Sequence, residues 1–494
     1  MEKRPFSGPK KRDDARRGKP DRPFDKARPK RRRDDDDRSD DGRPDKGEAG
    51  ARARPLSTMP GVEARRAVLE ILDRVNEGAT LDDAIARTRP FEHLEGPDRG
   101  FARLLATVTL RRRGAIDHLL GTWLDRPLPK KSARVMDILR IAAAQLLILE
   151  TPAHAAVATS VELANERGET AGYASLINAI SRKISAAGVE AFQKIPARTD
   201  TPSWMWRAWE RSYGPHGAKA IVEAHRGTPP LDLTFKPSEN LEDWAARLTE
   251  AGQDAALLSP ATLRLTKVSD VTALPGFEDG AWWVQDIAAS LPVRLLGDVA
   301  GKSVFDLCAA PGGKTLQLAA AGATVTAVDK SPARMERVSE NLLRTKLTAN
   351  IVEDDALRFK PQEKADMILL DAPCTATGTI RRHPDIPWSK GETALTALAE
   401  LQGKMIDHAL RNLLKPGGLL VYCVCSLQRE EGEAQAKAAL ARHENLERIA
   451  IMADEIGGYE KAVTRDGDLR TLPSMLGEKG GMDGFFAARF RWNG

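Results

Sequence analysis

Asp306-Leu307-Cys308-Ala309-Ala310-Pro311-Gly312-Gly313-Lys314-Thr315 reads as the end of a strand, a glycine turn and a helix that starts near Lys314. Glycine lets a backbone come close to a ligand, and the first amides of a helix have no partner of their own, so such a turn suits the polar end of a bound molecule. It is not the phosphate loop Gly-x-x-x-x-Gly-Lys-Thr, because Cys308 stands where the first glycine would be. On both sides, short apolar runs at 304–308, 325–329, 367–371 and 419–424 are bounded by Gly, Pro or Asp, as buried parallel strands should be. Helical stretches separate them, most clearly 333–345 and 393–414, the second stopping at Lys415-Pro416-Gly417-Gly418. This alternation predicts a doubly wound, Rossmann-like α/β sheet.

In such a sheet, ligands bind beyond the C-terminal strand ends. Asp329 ends the second strand, where a carboxylate can accept hydrogen bonds from ribose hydroxyls. Asp355 follows a third strand at 350–352, and Asp371 ends the fourth and leads into Ala372-Pro373-Cys374. Cys308, Asp329, Asp355 and Asp371 are therefore expected to converge on one crevice, although each acid alone could simply cap its loop. The cysteines Cys308, Cys374, Cys423 and Cys425 are too few in 494 residues for a disulfide framework, which points to a reducing compartment. No Cys-x-x-Cys is present, so a zinc site is not expected. Cys423, alternating with Val421, reads as a small buried hydrophobe.

Upstream, apolar residues at helical spacing begin at Val62, with Val68, Ile71, Leu72 and Val75 on one face. Further helices are expected at 99–111, 115–124, 133–149, 155–167 and 171–184, which makes an all-α domain over 55–190. Residues 200–280 mix periods and read as an α+β connector, with a strand at 231–235, a helix at 241–248 and an extended run at 262–265. Trp204, Trp206 and Trp209 are expected in its core rather than as stacking platforms for bases. The α/β domain takes 281–494.

The net charge of +5 comes from the start of the chain: residues 1–54 hold 20 Lys and Arg against 13 Asp and Glu, leaving 55 against 57 for the rest. Residues 1–54 are too poor in apolar side chains to offset the cost of ordering, so a disordered basic tail is expected, either solubilising or attracted to a phosphate backbone. The longest apolar stretch, 138–149, is broken by Arg140 and Gln145 and is too short to span a bilayer, and no apolar segment of a secretory signal precedes Leu56. A soluble cytoplasmic protein is expected.

Five ordered motifs then carry a resemblance. Asp306 to Thr315, Asp371-Ala372-Pro373-Cys374, Arg381-Arg382-His383-Pro384-Asp385, Tyr422-Cys423-Val424-Cys425-Ser426 and Asp483-Gly484-Phe485-Phe486-Ala487-Ala488-Arg489 closely resemble the Sun/RsmB family of RNA cytosine-5 methyltransferases. The helical region resembles the NusB-like RNA-binding domain through Asp98-Arg99, Ile138-Leu139-Arg140, Gln145-Leu146, Pro152, His154-Ala155-Ala156-Val157, Val161-Glu162 and Asn178. The resemblance implies S-adenosylmethionine in the crevice. Cys308, Ala309, Ala310, Pro311, Gly312, Gly313 and Lys314 would hold its methionine part, Asp329 the ribose and Asp355 the adenine end, while Asp371 would face both cofactor and base.

Cytosine C5 is a poor nucleophile, so a thiolate must first add at C6 to make an enamine whose C5 can attack a sulfonium methyl. By the family pattern Cys425 is that nucleophile, Cys374 assists release, and Asp371 hydrogen-bonds the base near N3 and stabilises the adduct. The presence of both cysteines favours RNA over DNA. Small-subunit ribosomal RNA is the implied substrate and the protein is expected to be a monomer, with no membrane and no metal. Transfer RNA, or a non-catalytic NusB-like RNA-binding adaptor, are the alternatives. Three positions depart from the pattern: Thr375-Ala376-Thr377-Gly378 replaces the usual Ser-Gly-x-Gly, Val424 a common Thr, and Leu233-Thr234-Phe235-Lys236 lacks the connector's Arg-x-Asn.

Overall fold

A computed structural model describes residues 56–124, 126–129, 132–266, 268 and 270–494; the tail expected at 1–54 lies outside the described residues. The first layer is a helical bundle of α1 (Val62–Asn76), α2 (Gly96–Arg111), α3 (Arg113–Gly121), α4 (Ala133–Leu147), α5 (Ala153–Asn165) and α6 (Ala174–Gln193). Ile71, Leu105, Ile116, Ile138 and Ile177 meet in its core. α4, largely apolar, is buried along most of its length and forms the centre of the bundle. Two of its polar residues find partners there: Arg140 donates to Asp117 (2.7 and 2.8 Å) and Asp137 (2.7 Å), and the Gln145 side-chain oxygen accepts from Arg65 (2.9 Å). α6 continues past the expected end at 184, but Gly188 breaks it with φ +74°. Among the described residues no helix is long and apolar enough to cross a membrane.

A long helix, α7 (Ser203–Arg226), bends at Gly214-Pro215 and buries Trp209 against Ile380, Ile386 and Leu427, beneath the loops that carry the cysteines. After it come β1 (Leu231–Phe235), α8 (Leu241–Glu250), β2 (Ala255–Ser259), β3 (Thr262–Leu265) and β4 (Trp282–Val284), forming an antiparallel sheet in the order β2-β3-β1-β4. β4 pairs with β1, so the small sheet runs past residue 280. A buried ion pair ties this sheet to the C-terminal half of the chain: Asp232 accepts from Arg264 (2.6 and 2.8 Å) and from the Ile287 amide (2.9 Å), and Arg264 donates to the carbonyls of Lys479 and Gly481.

Beyond α9 (Ile287–Arg294) lies the main sheet, of β5 (Ser303–Leu307), β6 (Thr324–Asp329), β7 (Asn350–Glu353), β8 (Ala365–Asp371), β9 (Leu414–Val424), β10 (Leu446–Arg448), β11 (Leu469–Thr471) and β12 (Phe485–Trp492). Its helices include α10 (Gly313–Ala320), α11 (Pro332–Thr345), α12 (Glu392–His408) and α13 (Glu433–Arg442). The strand order is β10-β12-β9-β8-β5-β6-β7, with β11 paired to β12. Strands β5 to β9 run parallel, and β12 enters antiparallel beside β9, so the sheet is mixed. α12 ends at His408; a wider π-turn covers Ala409–Leu413, and β9 starts at Leu414. Lys415 to Gly418 thus open a strand rather than only close a helix. The β8–β9 register sets Asp371 against Cys423, which brings the Pro-Cys and Cys-Ser loops out side by side.

Candidate active site

At the end of β5 the chain turns sharply. Cys308 takes φ +63° and Gly312 φ +100°, with Gly312 at the N-cap of α10 and no side chain capping that helix. A Cβ on Gly312 would sit 3.1 Å from the Val338 side chain, so both the conformation and the space call for glycine. The first amides of α10 are left to a ligand. Lys314, in the first turn, sends its ammonium across to β8, where Nζ donates to Asp371 Oδ2 at 2.8 Å and lies 4.9 Å from the Phe485 ring centroid. Burial opposes the lysine's charge, but Asp371 outweighs it and holds the ammonium above its ordinary range. The Cys423 thiol donates to the other oxygen of Asp371 at 3.6 Å. Cys423 is wholly buried, as expected of a small hydrophobe, yet it also steadies the carboxylate.

Beneath the turn, Asp306 is fully buried; Thr315 donates to one of its oxygens at 2.6 Å, and the other has no partner. Burial raises its carboxyl to about 7, with Thr315 and Lys314 pulling the other way. Cys308 is likewise pushed up, by burial and by the carboxylates of Asp329 and Asp371.

Cys374 and Cys425 come together with their sulfurs 3.5 Å apart. The hydrogen bond between the two, with burial behind it, holds the Cys374 thiol well above the ordinary thiol range. Cys425 lines a cavity of about 570 Å³, whose walls also include Trp283, Pro311, Lys314, Asp371 and Phe485. One rim is a buried cluster of four charges: Arg381 donates to Asp483 (3.0 Å) and Asp286 (3.2 Å), and Arg382 to the same two acids (3.1 and 2.7 Å).

The structure therefore brings Ala309, Pro311, Gly313, Lys314, Asp371 and Cys425 to one cavity, with Cys374 directly behind Cys425. Cys308, Ala310, Gly312, Asp329 and Asp355 stand apart from its lining. Asp329, at the end of β6, accepts from the amides of Ala310 (3.2 Å) and Ser331 (3.0 Å), with Arg334 at 3.7 Å. Asp355 lies after β7 and accepts from the Leu357 amide at 2.9 Å, which closes its own turn. Sequence reasoning missed Asp286, Trp283 and Gln285, and held Asp483 only as the first residue of a motif, with no role of its own. The one local signal was Asp286 before an apolar helix, and it does cap α9 by accepting from the Ala288 amide.

The strand order, with its last strand reversed and inserted beside β9, is that of a class I methyltransferase. The family model described as 16S rRNA methyltransferase RsmB/F matches residues 293–491, and that of the NusB family matches residues 62–186. The chain is 37% identical over 382 residues to ribosomal RNA small subunit methyltransferase B of Citrobacter koseri, covering 74% of this chain and 87% of that protein. It is 35% identical over 429 residues to the Escherichia coli K12 protein of the same name, covering 84% and 95%. The crystal structure of PH0851 superposes with a TM-score of 0.70 at 21% identity over 88% of this chain and 99% of that one, a likeness of fold. The chain belongs to the RsmB/F methyltransferase family.

S-adenosylmethionine is the methyl donor of this family. The residues present fit it: the uncapped amides of α10 and the Lys314 ammonium suit an amino-acid carboxylate, Asp371 suits a neighbouring cation, and Trp283 and Pro311 give the cavity apolar walls.

Proposed function

We propose that the protein methylates C5 of a cytosine in small-subunit ribosomal RNA, with Cys425 as the nucleophile. The observation that carries this reading is that Cys425 lines the same cavity as the Lys314–Asp371 pair, with the Cys374 sulfur 3.5 Å behind it. When bound, S-adenosylmethionine supplies an electrophilic methyl carbon on a sulfonium sulfur. Cys425, as thiolate, adds to C6 of the base; the C5–C6 electron pair shifts, and C5 becomes the nucleophilic carbon of an enamine. Asp371, with Lys314 and Cys423 each donating to one of its oxygens, accepts from the base and holds it in register. C5 bonds to the methyl carbon as that carbon's bond to the sulfonium sulfur breaks, its electron pair staying on that sulfur; water then takes the C5 proton, the C5–H pair re-forms the C5–C6 double bond, and the C6–sulfur bond breaks with its pair returning to Cys425. Cys374, kept as a thiol, hydrogen-bonds the leaving sulfur. Asp329 receives the ribose and Asp355 the adenine end of the donor, at the mouths of β6 and β7.

The names of the curated relatives support ribosomal RNA as the substrate, and the NusB match supports an RNA grip by the helical domain at 55–190, joined through the connector at 200–280 to the catalytic domain at 281–494. The target base must be unstacked to reach the cavity, most cheaply from a loop. The test is incubation of the full chain with methyl-labelled S-adenosylmethionine and unmodified 16S rRNA or transfer RNA, followed by nucleoside analysis. Label in 5-methylcytidine from the ribosomal RNA is expected. Label confined to transfer RNA, or found in any other nucleoside, contradicts the reading.

A further inference from the structure

The residue that follows each of the two cysteines is bonded to one and the same carboxylate. Thr375, next to Cys374, gives Glu431 Oε1 its backbone N–H (2.9 Å) and Oε2 its hydroxyl. Ser426, next to Cys425, gives its hydroxyl to that same Oε2. From α12, Gln402 donates both to Oε1 (3.1 Å) and to the carbonyl of Pro373 (2.9 Å), the residue before Cys374. The Tyr422 hydroxyl, on β9 just ahead of the cysteines, donates to the Glu431 carbonyl. Glu431 is 0% exposed, and the four groups that donate to its carboxylate are all neutral.

A buried carboxylate without a cation opposite is a costly choice if only packing is needed, since an apolar side chain would fill the same space. What the carboxylate provides is four acceptor sites in fixed directions, shared between two loops that leave different strands. Thr377 reinforces the join: its hydroxyl accepts from the Leu427 amide (3.0 Å) and lies 3.3 Å from Ser426 Oγ. The negative charge also bears on Cys374, adding to the hydrogen bond with Cys425 and to burial in keeping that thiol protonated.

We propose that Glu431 is a positioning residue for methyl transfer, a clamp that keeps the Cys374 and Cys425 loops in register so that the two sulfurs remain in contact. The inference rests on the reading of Cys425 as nucleophile and Cys374 as release group. The Ser426 arm of the clamp orients the nucleophile, and the Thr375 arm orients the release group. A merely structural glutamate would not separate them.

The full chain is assayed with S-adenosylmethionine and 16S rRNA for kcat, KM, donor affinity and the rate of formation and decay of the covalent protein–RNA adduct on denaturing gels. Glu431→Ala is expected to lower kcat about 100-fold with donor affinity within about twofold, and Glu431→Gln, which keeps one oxygen and can donate to both hydroxyls, to recover at least a tenth of the wild-type rate. Should Glu431→Ala fail to fold, the two arms decide. Ser426→Ala is expected to slow adduct formation about tenfold, and Thr375→Val to slow adduct decay about tenfold, so that adduct accumulates. Wild-type kinetics in Glu431→Gln and in both arm variants, or equal slowing of both steps by either arm variant, overturns the clamp. Absence of any adduct or 5-methylcytidine with the wild-type protein instead overturns the cysteine mechanism on which it rests.

Discussion

At the scale of single residues, the proposed mechanism gives the two cysteines different work according to their surroundings. Cys425 lines the cavity, whereas Cys374 sits behind it, half-buried, with its sulfur 3.5 Å from that of Cys425. Cys425→Ala is therefore expected to lower methyl transfer at least about 1000-fold while donor binding, followed by titration calorimetry, changes less than about twofold. Asp306 gives a prediction about pH. Its folded carboxyl is raised to about 7, above the unfolded value near 3.9, so the folded state holds the proton over the interval between them. Its contribution to stability is fully present below about pH 4 and is lost as pH rises through about 7, by at most about 1.4 kcal/mol per pH unit. Lys314, Asp371 and Asp329 face it from neighbouring elements and shape that titration. Asp306→Asn, which keeps the bond to Thr315 with no charge to bury, should gain in melting temperature over the wild type as pH goes from 5 to 8. A constant difference across that range would contradict the account. Asp371 was legible in the sequence from its place at a strand end beside a turn signal, whereas the parts given to Lys314 and Cys425 came from the family resemblance. Arg381 and Arg382 were visible only as a motif, because their partners Asp286 and Asp483 lie 95 to 102 positions away and no local spacing announces such a pairing.

At the scale of elements, the chemistry depends on loops that pass each other at backbone contact. Gly378, in the loop after Cys374, receives the Gly484 amide on its carbonyl (2.8 Å) and gives its own amide to the Cys425 carbonyl (3.0 Å). A Cβ at Gly378 would lie 1.9 Å from the Gly484 carbonyl oxygen, so backbone would have to move. Gly378→Ala is expected to cost about 2–4 kcal/mol in chemical denaturation and to reduce methyl transfer far more than donor binding. A variant with unchanged denaturation midpoint and rate would rule out this contact as the constraint. The loop departs from the family's usual Ser-Gly-x-Gly at Thr375 and Ala376, yet retains the glycine that this crossing requires. Elements with a clean period were readable in advance: β1 and β3 fall at the expected 231–235 and 262–265, and α8 at 241–250 against the expected 241–248. β2 and β4 were not: Ala255–Ser259 carries no alternation of apolar and polar residues and the three residues of β4 establish no period, so only pairing with β3 and β1 makes them strands. The reversal of β12 was equally hidden, since the direction of a strand leaves no mark in its own sequence.

At the scale of the whole molecule, the helical bundle rests on the catalytic domain through few but specific contacts. Arg111 donates to the Arg381 carbonyl (2.9 Å), Trp388 donates its indole N–H to the Leu110 carbonyl (2.9 Å), and the Arg113 guanidinium lies 5.2 Å from the Trp388 ring centroid. Arg111 and Arg113 thus lie at this junction: burial lowers the pKa of Arg111 to about 10, and its carbonyl partner belongs to the Arg381-Arg382 motif at the cavity rim. Trp388→Ala should lower stability by about 1–3 kcal/mol and weaken methyl transfer to RNA more than donor binding, read by thermal unfolding beside the transfer assay. Equal loss of donor binding would place the effect inside the catalytic domain and contradict a role at the junction. The alternation of helical and α/β regions was open to reading from composition and period, but the junction was not, because it joins residues more than 200 positions apart.

The central claim is tested most directly by locating the covalent bond. Cys374→Ala protein is incubated with 16S rRNA and S-adenosylmethionine, the complex is digested with nuclease and protease, and the peptides are sequenced by mass spectrometry. The account predicts a methylated cytidine nucleotide bound to the sulfur of Cys425. Attachment to Cys308 or Cys423, or efficient formation of 5-methylcytidine by a Cys425→Ala protein, would contradict it.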